Sequence, residues 1–217
     1  MERIKIVYYN KNIAFCVKPP FVSSEGEGMP KLLKEALGEQ GIKTEVYPLH
    51  RLDTAVSGLM IFALNKETAG KLGKEIAQGK GIKKEYLAVV QGSLEEKQGL
   101  MEDLLFKDSR KNKSFVVKRE RKGVKKASLE YKVIGEKEGF SLVKILLHTG
   151  RTHQIRVQFS SRKHPLVGDG KYGSKNNCNI ALFSHKITLS QGESYEEYPP
   201  DIYPWNLFND FLNMRNI

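Results

Sequence analysis

Val46-Tyr47-Pro48-Leu49-His50-Arg51-Leu52-Asp53-Thr54-Ala55-Val56-Ser57-Gly58-Leu59-Met60-Ile61-Phe62-Ala63-Leu64 reads as strand, loop and strand. The run from Gly58 to Leu64 is apolar throughout, of strand length and bounded by turn residues. Strands around 44–49 and 57–64 therefore frame a loop that carries Asp53, with Arg51 two residues before it. Strands fix where such a loop stands while the loop frees its side chains, which is how reacting groups are usually mounted. An aspartate here can equally serve the loop itself by accepting nearby backbone N–H groups.

Outward from this segment the same strand chemistry recurs. Ile4 to Tyr9 and Ile13 to Val17 flank Asn10-Lys11-Asn12 as a hairpin, and Glu85 to Gln91 is a further strand. Phe115 to Lys118, Ala127 to Ile134, Phe140 to Leu147 and Ala181 to Leu189 complete the strand set. Helices are fewer. Pro30 to Leu37 has Pro at its start and Gly38 past its end, and Lys66 to Gln78 is amphipathic and stopped by Gly79. Thr152 opens a helix to about Ser160, and Trp205 to Met214 closes the chain. Strands linked mostly as hairpins predict an α+β fold with a mainly antiparallel sheet flanked by helices, rather than a doubly wound one. With no repeat and no low-complexity linker, the chain is expected to be a single domain over 1–217.

At 217 residues and 40% hydrophobic content the chain can build a core without staples. Cys16 and Cys178 have no CxxC partner, so neither a zinc ribbon nor a disulfide framework is expected. No apolar run approaches the roughly 18 residues of a membrane span, and the start lacks a signal-type apolar stretch. The expected compartment is the cytoplasm. Thirty-six Lys and Arg against 25 Asp and Glu give a formal charge of +11, a field that attracts polyanions, nucleic acid first among them. The excess is concentrated from Lys107 to Lys126, where Asp108 and Glu120 are the only acids and Phe115-Val116-Val117 interrupts as a strand would. That pattern predicts a basic hairpin rather than a disordered tail.

A second segment carries chemistry: His148-Thr149-Gly150-Arg151-Thr152-His153-Gln154-Ile155-Arg156-Val157-Gln158. With Thr152 as N-cap, His153 and Arg156 fall three apart on one helix face and Arg151 lies just outside the helix start. Two guanidiniums at a helix N-terminus suit a phosphate or a catalytic carboxylate.

Four motifs in order then resemble the RluA family of pseudouridine synthases. They are His50-Arg51-Leu52-Asp53 with Ser57-Gly58-Leu59 behind it, Lys84-Glu85-Tyr86-Leu87-Ala88-Val89-Val90, Gly150 to Val157, and His164-Pro165-Leu166-Val167-Gly168-Asp169-Gly170-Lys171-Tyr172-Gly173. Ile6-Val7-Tyr8, Val17-Lys18-Pro19 and Ile180-Ala181-Leu182 extend the likeness over most of the chain. The resemblance implies a long, bent, mainly antiparallel sheet around a central cleft, and isomerisation of uridine in RNA to its C-glycoside. It places the essential aspartate at Asp53, an active-site tyrosine at Tyr86 and the basic partner of the aspartate at Arg156. A carboxylate can add to C6 of uracil or assist glycosidic cleavage by taking a ribose proton, and both routes stay open. Neither requires a metal or an organic cofactor.

A stacked uridine hides its reacting atoms, so it must be flipped out. Arg51 and His50, flanking the catalytic loop, are candidate wedges or phosphate contacts. Arg151, His153 and Leu182 are further candidate substrate contacts. Departures from the family pattern fall at Val56, Gln158, Asn179 and Phe183, and Ser23 to Gly28 replaces a more usual His-Pro turn. The expectation is a catalytic domain without an S4-type RNA-binding domain, working as a monomer on ribosomal or transfer RNA with no obligate protein partner.

Asp53-Thr54-Ala55 is also similar to the loop of aspartic proteases, but that chemistry needs two carboxylates sharing one proton. Arginines at 51 and 156 favour a fully ionised aspartate instead. An RNA-binding protein without activity would need the same basic surface, yet would have no use for Asp53, Tyr86 and Arg156 together. The histidine pairs 148/153 and 164/185 lack an acidic third ligand for a metal, and Gly168-Asp169-Gly170 reads as a turn.

Overall fold

The computed structural model describes residues 4–212. In chain order the elements begin with β1 (Ile6–Tyr9), β2 (Ile13–Lys18), α1 (Met29–Gly38), β3 (Tyr47–Pro48), β4 (Ser57–Ala63) and α2 (Lys66–Ala77). There follow β5 (Ile82–Gln91), β6 (Gln98–Asp108), β7 (Lys113–Val117), β8 (Val124–Lys137), β9 (Phe140–Leu147) and α3 (Gln154–Ser161). A 3₁₀ turn at Gly170–Tyr172 leads to β10 (Leu182–Leu189) and β11 (Ser194–Glu196), then a 3₁₀ turn at Trp205–Phe208 and α4 (Asn209–Leu212). This is the α+β class that the hairpin-rich pattern predicts. The expected closing helix is instead a 3₁₀ turn running into one α turn, and Asn213 and Met214 lie outside the described residues. Two strands escape the sequence reading altogether, β6 and the short β11.

The chain divides into two compact units, 1–84 with 183–198, and 85–182 with 199–217. In the first, β1 pairs antiparallel with β2 and β2 with β4, register Ile13 to Ala63 through Lys18 to Gly58. β4 runs parallel to β10 at Ser57 and Gly58, and β11 returns antiparallel along β10. Ile13, Phe15, Leu59, Ile61, Ile187 and Leu189 form the core of this unit, with Leu72 of α2 and Tyr195 packed against it. Gly58 has no alternative at its position: φ is +119°, and a Cβ would stand 2.4 Å from the Ser184 nitrogen. That close approach carries β4 into the Asp53 loop.

In the second unit the strand order is β5-β9-β8-β6-β7. β6 lies between β8 and β7, antiparallel to β8 over Gln98–Phe106 and to β7 over Leu104–Asp108. Leu105, Ala127, Val157 and Tyr172 make a core cluster that joins strands, α3 and the Gly170–Tyr172 turn. The basic segment from Lys107 to Lys126 is the β6–β7 hairpin and the turn into β8, as its pattern predicts. Asp108 Oδ1 accepts the N–H groups of Arg110 and Lys111 to close the hairpin tip.

Candidate active site

The Asp53 loop is held from beneath by residues 18–24. Ser24 Oγ donates to the Leu52 carbonyl at 2.8 Å and accepts the Leu52 N–H at 2.9 Å, fixing both backbone groups of the residue before Asp53. The Phe21 N–H donates to the Thr54 carbonyl at 2.7 Å. Lys18, the last residue of β2, is wholly buried and spreads its ammonium over the carbonyls of Pro19, Val22 and Thr54 at 2.9, 2.8 and 3.0 Å. Burial lowers its pKa to about 8, opposed by the attraction of the Asp53 carboxylate. The turn from Asp53 to Val56 is closed by the Asp53 backbone carbonyl, which accepts the Val56 N–H at 2.9 Å.

His50 sits differently from a phosphate contact. Its Nε2 accepts the Ile61 N–H at 3.2 Å, and its Nδ1 is buried without a hydrogen-bond partner among the described residues. Burial first, and the Lys84 ammonium second, push its pKa down to about 3, so the ring is neutral at physiological pH. Arg51 is the exposed neighbour. Its side chain is 73% accessible, and its Nη1 is 3.3 Å from both carboxylate oxygens of Glu25, a loose surface pair that restrains it little.

In the second unit Arg156 is fixed by Asp169. Nε donates to Oδ2 at 2.7 Å and Nη2 to Oδ1 at 2.8 Å, a bidentate pair with both side chains buried. The guanidinium also lies over the Tyr172 ring, 5.1 Å from its centroid. Asp169 thus does more than shape the Gly168-Asp169-Gly170 turn, although its backbone carbonyl does accept from Tyr172 and Ser174. Its place in the fourth motif is the signal for it in the sequence.

His153, not Thr152, is the N-cap of α3, and its φ of +54° is left-handed. The Gln154 side chain braces the segment that leads into the helix. Its Oε1 accepts from the Arg151 N–H at 3.0 Å and the Thr149 hydroxyl at 2.8 Å, which ties the segment before the helix to its first residue, while no side chain caps the first-turn N–H groups. The Thr152 carbonyl instead accepts from Ser114 Oγ. His153 is buried at the cap with Nδ1 3.0 Å from the Tyr172 hydroxyl, so it and Arg156 meet the same tyrosine, one at the hydroxyl and one over the ring. Arg151 is exposed and its Nε donates to the Lys126 carbonyl at 2.9 Å, at the foot of the basic hairpin. Tyr86 is buried on β5, and Leu182 is buried where β10 begins. Among the described residues no three His, Cys, Asp or Glu side chains gather as a metal site.

Comparison with known proteins identifies the family. Residues 6–161 match the RNA pseudouridylate synthase family. An uncharacterized RNA pseudouridine synthase of Helicobacter pylori strain J99 is 30% identical over 203 residues, 92% of this chain and 76% of that protein. The tRNA pseudouridine synthase C of Haemophilus influenzae is 32% identical over 172 residues, 74% of this chain and 68% of that protein. Among solved structures, human RNA Pseudouridylate Synthase Domain Containing 1 shares the fold, with a TM-score of 0.77 at 24% identity, over 94% of this chain and 86% of that one. On motif order, fold and these matches together, the chain belongs to the RluA family of RNA pseudouridine synthases, isomerases that act on RNA.

Proposed function

We propose that this protein converts specific uridines of structured RNA, ribosomal or transfer, to pseudouridine, with Asp53 as the essential carboxylate. The observation that carries the reading is the double clamp on the Asp53 loop, Ser24 on Leu52 and Lys18 on Thr54, which holds the residues on either side of the aspartate. Rigid support of this kind is what a reacting group needs and a surface turn does not. Relatives named as tRNA pseudouridine synthase C and ribosomal large subunit pseudouridine synthase D support the two RNA classes.

In the reaction the C1′–N1 bond breaks, C1′ bonds to C5, the C5 proton leaves and N1 takes up a proton, so the product is an isomer. Asp53 initiates, either by attack at C6 or by drawing a ribose proton. Tyr86 packs on the uracil and assists loss of the C5 proton, and Arg156, aimed by Asp169, supplies fixed positive charge. His153 and Leu182 line the base site. The uridine is flipped out of its stack, with Arg51 and Arg151 contacting the neighbouring backbone. His50 has a supporting role, because a neutral ring already accepting from Ile61 brings no charge to a phosphate. The chain works as a monomeric, cytoplasmic catalytic domain without a metal or organic cofactor, and no helix among the described residues is long and apolar enough to cross a membrane.

Release of tritium from RNA transcribed with 5-tritiated uridine measures loss of the C5 proton. Asp53→Asn is expected to abolish release while keeping RNA binding, and unchanged release from that variant would overturn the assignment.

A further inference from the structure

Phe21 has two features that a residue serving only the fold would not combine. Its φ of +65° lies in the left-handed region, where a bulky side chain is a costly outlier. The residue is 67% accessible, the most exposed of the large apolar residues among those described. It is part of neither of the two apolar clusters described above. Strain is thus tolerated although most of the residue stays exposed.

What the position does achieve is placement. The Phe21 N–H is bonded to the Thr54 carbonyl, and the same carbonyl receives the Lys18 ammonium, which also grips Pro19 and Val22 on either side. Pro19 and Pro20 stiffen the approach. The Phe21 backbone is therefore held against that of the residue after Asp53, with exposed Arg51 one residue before Leu52 in the same loop. An exposed aromatic residue tied to the Asp53 loop, together with an exposed guanidinium carried by that loop, is the chemistry that receives unpaired bases: the ring stacks on a base face and the cation meets the backbone.

We infer that Phe21 is a stacking platform for an RNA base adjacent to the target uridine, positioned by its hydrogen bond to Thr54. This rests on the reading of the Asp53 loop as the site of uridine isomerisation. Stacking holds the neighbouring base once the uridine has left the helix, so it contributes to binding and not to the bond-breaking step.

Phe21→Gly and Phe21→Tyr test the inference, with in vitro transcribed transfer and ribosomal RNA carrying 5-tritiated uridine as the probe. Glycine adopts φ near +65° freely, so Phe21→Gly should keep or raise Tm. It should raise KM about ten- to a hundredfold at nearly unchanged kcat, as loss of one base stack does, and Phe21→Tyr should restore KM. An unchanged KM in Phe21→Gly overturns the platform, and so does a raised KM that comes with a lowered Tm, which would mark a folding role. A wild-type protein that releases tritium from neither RNA overturns the isomerase reading and this inference with it, whereas an active wild type with an indifferent Phe21→Gly overturns the platform alone.

Discussion

Lys18 keeps an ammonium where lysines are almost never found, fully buried, and the three carbonyls around it are the reason it can. Because burial lowers its pKa to about 8, against 10.5 for an ordinary lysine, the unfolded chain binds more protons between those values. Stability contributed by this group therefore rises with pH from about 8 to 10.5 and is flat below 8, where both states are charged. Denaturant titrations across that window should show the slope in the wild type and lose it in Lys18→Met. Activity should move the other way. Deprotonation withdraws one of the donors holding Thr54 and the positive charge facing Asp53, so kcat should fall above about pH 8. A wild-type rate that stays level to pH 10 would remove Lys18 from the support of the loop. Nothing local in Val17-Lys18-Pro19 announces this role, since the three carbonyls that make a buried lysine tolerable come from Pro19, Val22 and Thr54 and meet only in the folded chain.

Between elements, the Arg156–Asp169 pair ties α3 to the Gly170–Tyr172 turn. Both side chains are buried, so removing one partner strands the other's charge. Arg156→Ala is expected to cost about 3–5 kcal/mol in stability, measured by urea unfolding, and to abolish tritium release. Asp169→Asn keeps the shape but loses bidentate acceptance, and should reduce kcat more than it raises KM by letting the guanidinium turn. A variant at Asp169 with wild-type kcat would show that Arg156 needs no aiming. The element scale is also where legibility in the sequence divides. β4 was readable because its apolar run is continuous. β6 was not: Gly99, Glu102 and Asp103 interrupt it, only Met101 and Leu105 are buried, and its strand character comes from pairing with β7 and β8 on both sides. α3 was placed one to two residues early because Gln154 and Arg156 are polar yet buried, so neither pattern nor the usual capping residues mark its start. The catalytic candidates were visible as residue types in order along the chain, while their supports, Ser24, Lys18 and Asp169, act through contacts between distant segments.

At the scale of the whole molecule, +11 of formal charge is a statement about the partner, and the β6–β7–β8 segment concentrates it. Several of its basic side chains are committed within the protein. Lys113 Nζ donates to the Lys171 carbonyl and lies over the Tyr172 ring, and the Arg121 guanidinium sits 4.7 Å over Phe106. Lys118, Arg119, Lys122 and Lys125 are exposed on the turn into β8 and at its first residues. A phosphate backbone gains from such charges by releasing its counterions, so affinity must fall steeply with salt, by a logarithmic slope of about 0.7–0.9 per phosphate neutralised. Changing these four residues to Gln should leave Tm in place, since they are exposed, and lower the slope by about 3 if each meets one phosphate. The loss should be similar for different RNA sequences, because phosphate contacts carry no base information. Filter binding at a series of salt concentrations decides the matter: a slope identical in wild type and quadruple variant would place the RNA on another face, and a wild-type affinity indifferent to salt would contradict a phosphate-tracking surface altogether.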